Sequence, residues 1–135
     1  MDFYNEYFIS ESRSQNGVWV PFRDGIEFLI ARGTNPDAMR MMRRELKKHE
    51  RKLNAQDDAS FDLMKRITID VTAKHILLGW KGPVKYQGAD MEYSEANAKK
   101  LLAMDGFREW VDTQARDEDR YKEVQDEEEE KNSVK

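Results

Sequence analysis

The chain has 135 residues, 39% of them apolar and 37% charged, with a net charge of −4. That suits one domain with a single core and a heavily solvated exterior. No apolar run approaches the ~20 residues that span a bilayer, and the acidic opening "MDFYNEYFIS" lacks the basic n-region of a signal peptide. The absence of cysteine excludes disulfides, thiol nucleophiles and cysteine-based zinc sites, and suits a reducing compartment. The overall acidity argues against an electrostatic nucleic-acid binder. The charge is uneven, however: "RMMRRELKKHERK" (40–52) is basic and "RDEDRYKEVQDEEEE" (116–130) is acidic.

The first third reads as β. "FYNEYFI" (3–9) suits a strand, and "VWVPF" and "IEFLIA" flank Asp24-Gly25, a strong hairpin signal. With Asp24 and Gly25 as the two turn residues, Pro21 faces Phe28 and Trp19 faces Ile30. Pro21 cannot donate to a ladder, so its strand belongs at an edge or carries a bulge.

"GTNP" (33–36) then breaks the pattern. Asn35 can cap a helix whose first position is Pro36. Met39, Met42, Leu46, His49 and Leu53 form one stripe of that helix, and Arg40, Arg44, Lys47, Lys48 and Arg51 fill much of the remainder. Asp57 or Asp58 caps a second, longer helix. Phe61, Met64, Ile67, Val71 and Leu78 mark one of its faces, and Ile69, Ala73, Ile76 and Trp80 another. "ITIDVT" (67–72) alternates like a strand, but helix formers flank it and helix is the reading adopted. After a loop with glycines and a proline, Ser94 caps "EANAKKLLAM". A last helix follows through Phe107, Trp110, Val111, Ala115 and Tyr121. The expected fold is thus α+β, mainly α-helical with about four helices and an N-terminal β-hairpin or small meander. One globular domain covers 1–122, with 1–33 mostly β and 36–122 mostly helical. The acidic 123–135 is expected to be disordered.

Catalytic chemistry finds little purchase. The two histidines, His49 and His75, have no partners in the spacing of a triad, and Asp70 lies off the helical face of His75. Paired metal ligands are missing, and the acidic run lacks the glycine and ligand alternation of a calcium loop. Gly79, Gly82 and Gly88 do not open a helix as a phosphate loop does, and Pro83 has no N–H to offer. No catalytic, metal or cofactor site is expected. The loop reads as a shaped connector, with Trp80 and Tyr93 packing its ends. The basic stripe at 40–52 reads as a solvated helix face, a grip on DNA or RNA phosphates, or a receiver of an acidic segment.

The segment "LLGWKGPV…MEYSEANAKKLLAMDGFREWVDTQARDEDRY" resembles the tail assembly chaperones of long, flexible-tailed bacteriophages. In those proteins a Trp-Lys-Gly element ends a helix, and a Gly-containing loop leads to Tyr-Ser-x-x-Asn-Ala and a Leu-Leu helix. Here these are Trp80, Lys81, Gly82, Gly88, Tyr93, Ser94, Asn97, Ala98, Leu101 and Leu102. Phe107, Ala115 and Tyr121 continue the likeness, and the hairpin followed by "RGTNP" is similar too. The resemblance implies a non-enzymatic assembly factor of the host bacterial cytoplasm, absent from the mature virion. It would bind the tape-measure protein, keep it soluble and help recruit tail-tube subunits. Its signature residues are packing residues. Met39, Met42, Leu46, Trp80 and Tyr86 are the candidate partner contacts, methionine being suited to adaptable surfaces. The resemblance also implies a longer, frameshifted form. Glu130-Lys131-Asn132 is compatible with the slippery codons GAA-AAA-AAC; a GAG at Glu130 or an AAG at Lys131 would remove that site.

Overall fold

The computed structural model describes residues 1–122; the expected disorder of 123–135 and the segment Glu130-Lys131-Asn132 lie outside the described residues. The chain is α+β and mainly helical, with four longer helices and small antiparallel sheets.

The N-terminus departs from expectation. Residues 3–9 are not a strand: α1 (Phe3–Tyr7) is a short helix. The Asp2 side chain accepts from the Tyr4 N–H, and the i,i+4 pairs Phe3–Tyr7 and Tyr4–Phe8 stack at 6.0 and 4.4 Å. Aromatic content alone could not compete with a cap and two helical aromatic pairs. Ser10 then caps α2 (Glu11–Asn16).

β1 (Val18–Pro21) and β2 (Glu27–Ile30) form the expected hairpin in a different register. Pro21 faces Glu27 and Trp19 faces Leu29. The loop holds three residues, Arg23, Asp24 and Gly25, closed by the Phe22 N–H on the Ile26 carbonyl at 2.9 Å. Asp24 and Gly25 both take positive φ, at 55° and 79°. The one-residue shift matters because it puts Val20 opposite Phe28, both on the buried face. β1 lies at the sheet edge, where Pro21 leaves no ladder bond unmade.

α3 (Pro36–Lys48) starts at Asn35 as its cap, and His49 separates it from α4 (Glu50–Asn54). α5 (Asp58–His75) opens with a capping box between Asp57 and Ser60, and 67–72 is helical. Its buried stripe is Ser60, Leu63, Ile67 and Val71; Phe61 and Met64, expected there, are 65% and 36% exposed.

α5 does not run on to Trp80. It ends at His75, and β3 (Leu77–Lys81) pairs antiparallel with β2, giving the sheet order β1-β2-β3. The helix ends without Gly or Pro because other elements take its last carbonyls. The Asn35 amide donates to the His75 carbonyl at 3.0 Å, and the Ala31 N–H to that of Ile76 at 2.8 Å. A register shift against Leu29/Ile30 leaves Leu78 as an extra residue, so Leu77 and Trp80 both point inward.

β4 (Lys85–Tyr86) and β5 (Ala89–Asp90) follow as a miniature hairpin, then α6 (Glu95–Leu102) and α7 (Asp105–Ala115). The final helix stops at Ala115; Tyr121 sits instead in a separate 3-10 turn, Glu118–Tyr121. The inner sheet face (Val20, Phe28, Ile30, Leu77) meets α5, α6 and α7 in one core that includes Ile67, Val71, Leu101, Leu102 and Val111. An aromatic cluster of Phe22, Phe28, Phe107 and Trp110 seals the sheet against α7.

Candidate partner-binding site

The Trp80–Leu102 segment is a scaffold. The Trp80 Nε1–H donates to the Met91 carbonyl at 3.0 Å, and the Tyr93 hydroxyl to the Leu77 carbonyl at 3.0 Å. The two rings meet edge to face at 5.1 Å, pinning both ends of the glycine loop. Burial raises the Tyr93 phenol above its ordinary range. Between these anchors, Gln87 and Gly88 both take positive φ, as a two-residue hairpin turn requires. Gly82 lies at φ 97°, and a Cβ there would meet the Ile26 Cα at 2.9 Å as well as the Gly25 backbone. The Ser94 hydroxyl accepts from the Asn97 N–H at 3.0 Å, and the Asn97 amide reaches back to the Glu92 carbonyl at 2.8 Å. Ala98, Leu101 and Leu102 are buried. Trp80 is buried and Tyr86 half-buried.

Candidate contact surface lies elsewhere. Met39, 42% exposed, and Met42 line a cleft of about 520 Å³ between α3, α5 and α7. Thr68, Thr72, Ile76, Asp112 and Ala115 continue it into a smaller cavity of about 240 Å³. A second, wider groove of about 700 Å³ runs between the α3–α4 junction and the start of α5. Leu46, Leu53, Phe61 and Met64 give it an apolar floor, and Glu50 is the one acid lining it among the described residues. The structure thus places Met39 and Met42 in one cleft and Leu46 in the other, apart from Trp80 and Tyr86.

Phe61 and Met64 were missed as surface residues because a 61-64-67-71 stripe and a 60-63-67-71 stripe share their last two members. The discriminating signal was the Asp57–Ser60 capping box, which turns Ser60 inward as the first turn forms. The Ser60 N–H on Asp57 Oδ1, at 2.9 Å, also holds the Asp57 carboxyl below its usual range.

The basic face beside this groove is exposed. Arg40 pairs with Asp37, and Arg44 lies 4.0 Å from Glu45. Arg43, Lys47, Lys48 and Arg51 make no ion pair among the described residues. His49 sits 3.6 Å from Glu45, at the junction of α3 and α4. Asp70 pairs with Lys99 at 3.3 Å, and no hydrogen bond or ion pair joins it to the His75 side chain among the described residues. No group of three or more His, Cys, Asp or Glu side chains suited to a metal ion occurs among the described residues. No helix among the described residues is long and apolar enough to cross a membrane.

No curated protein and no solved structure matches the sequence. The family model described as "YdaY prophage protein" matches residues 34–132, from the Asn35 cap through both grooves and the Trp80–Leu102 scaffold. That match covers well over half of the chain, which therefore belongs to the YdaY prophage protein family and is of bacteriophage origin.

Proposed function

We propose that this phage protein is a tail assembly chaperone, a non-enzymatic binding protein acting in the host bacterial cytoplasm and absent from the finished virion. Its partners would be the tape-measure protein, which it keeps soluble, and the tail-tube protein. The observation that carries this reading is the groove with Leu46, Leu53, Phe61 and Met64 presented together at the surface. An apolar strip between two helices is what an amphipathic partner helix docks into. The resemblance of 77–121 to tail assembly chaperones supplies the identity of that partner, and the family match supplies the phage origin alone.

Co-expression tests the reading. A tape-measure fragment from the same phage should be insoluble alone, and should become soluble and co-purify with the chain. Phe61→Ser with Met64→Ser should abolish co-purification; a fragment that stays insoluble beside the wild-type chain would refute the proposal.

A second reading rests on the unpaired cations of α3 and α4: a nucleic-acid-binding or regulatory phage protein. It requires salt-dependent DNA binding that is lost when Arg43, Arg44 and Lys47 are neutralised and is indifferent to Phe61.

A further inference from the structure

We infer that the groove between the α3–α4 junction and α5 takes an amphipathic helix whose flanks are acidic. This deepens the binding-protein reading and rests on it. The floor supplies the apolar half of the match: Leu46 and Leu53 from one wall, Phe61 and Met64 from the other. Two neighbouring helices leave a channel into which the ridge of a third can seat. Phe61 and Met64 stand on the first turns of α5, where the chain gains nothing from exposing them unless something covers them.

The flank supplies the electrostatic half. Lys47 lines the groove, and Arg43, Lys48 and Arg51 stand exposed on the same two helices with no ion pair among the described residues. Arg40 and Arg44, by contrast, have acidic neighbours of their own. A basic partner would be repelled by this rim, because like-charge juxtaposition costs affinity and so selects against it. A nucleic acid would satisfy the cations and leave the apolar floor uncovered. The chain's own acidic run, Asp126 to Glu130, has the charge without an apolar stripe, since Val124 and Val134 are the only apolar residues in 123–135. A partner helix with leucines on one face and Glu or Asp beside them satisfies both halves.

The test uses the full chain and a fluorescent synthetic helix of leucine stripe and glutamate flanks, read by anisotropy. Its lysine-flanked isomer and a single-stranded oligo-dT serve as comparisons. The glutamate peptide should bind at least about tenfold tighter than the lysine isomer, and raising salt should weaken it. Phe61→Ser and Lys47→Glu should each weaken it about fivefold or more, and both sites are exposed, so thermal unfolding should be unchanged. Several results would overturn the inference. They are equal binding of the two peptides, oligo-dT displacing the glutamate peptide, or self-association abolished by Phe61→Ser. A rise in affinity when Glu127, Glu128, Glu129 and Glu130 become Gln would assign the groove to the chain's own segment instead. If a tape-measure fragment co-purifies but is not displaced by the glutamate peptide, this inference alone fails. If the peptide binds as described and the fragment does not, the chaperone assignment alone fails.

Discussion

Asn35 does more than cap a helix. Its Oδ1 accepts from the Ala38 N–H at 3.1 Å, while its amide donates to the carbonyls of Arg32 at 2.8 Å and His75 at 3.0 Å. One buried side chain therefore joins the end of β2, the start of α3 and the end of α5. Asn35→Asp keeps the cap and removes both donors, so denaturant unfolding should show a loss of about 2 kcal/mol or more. Unchanged stability would mean the two carbonyls find other donors. Tyr121 plays a comparable part at the other end of the domain. Fully buried, it donates its hydroxyl to the Ile30 carbonyl at 3.1 Å, and its phenol is pushed up from 10.0 to about 12 by burial. A raised pKa means the fold favours the protonated form. The stability that this confers is complete below about pH 10 and is lost as pH rises through about 12. Wild type should lose stability across that window, and Tyr121→Phe should lose less, the difference approaching about 3 kcal/mol. Parallel pH curves would contradict the assignment.

At the level of elements, the sequence was legible wherever a cap and a period agreed. Asn35-Pro36, Asp57 and Ser94 each head a helix that continues with helical spacing, and all three helices are present. Residues 67–72 stayed helical against their own β-branched preference because the capping box and the flanking formers set the frame. The misreadings have specific causes. Ile76 and Trp80 are both buried at a four-residue spacing although β3 has already begun at Leu77, so in sequence they are indistinguishable from one helical turn. α1 is aromatic-rich, as strands often are, but lacks a strand neighbour; among the described residues Ile9 makes an isolated bridge, with Lys122. Of the candidate site, Met39, Met42 and Leu46 could be read from periodicity, whereas Phe61 and Met64 required knowing which of two overlapping stripes faced inward. Two substitutions probe this level. Ser94→Ala should cost about 1 kcal/mol through loss of the α6 cap. Gly82→Ala should cost more, roughly 2 kcal/mol, because it combines a positive φ with a collision on the hairpin turn. Circular dichroism melts of both variants check the ranking; Gly82→Ala as stable as wild type would show that the two hairpins part easily.

Across the whole molecule, the N-terminal residues and the family-matched segment are one structure. The match begins at residue 34, yet β2 is the central strand and supplies Phe28 and Ile30 to the core. The first residues are also tied to the last described ones, through the Ser10 N–H on the Tyr121 carbonyl at 2.7 Å and Arg13 Nε on the Arg120 carbonyl at 2.7 Å. A chain starting at residue 34 should leave β3 without a neighbour and show no cooperative thermal transition, whereas the full chain should melt in one step. On this closed scaffold, the groove of Leu46, Leu53, Phe61 and Met64 stays open to the surface beside unpaired cations. Hydrogen exchange on the full chain, with and without the tape-measure fragment, tests that claim most directly. Bound fragment should slow exchange in α4 and the first half of α5, residues 50–67, and leave β4 and β5 unchanged. Protection confined to the hairpin loop around Tyr86, with α4 and α5 unaltered, would contradict the account.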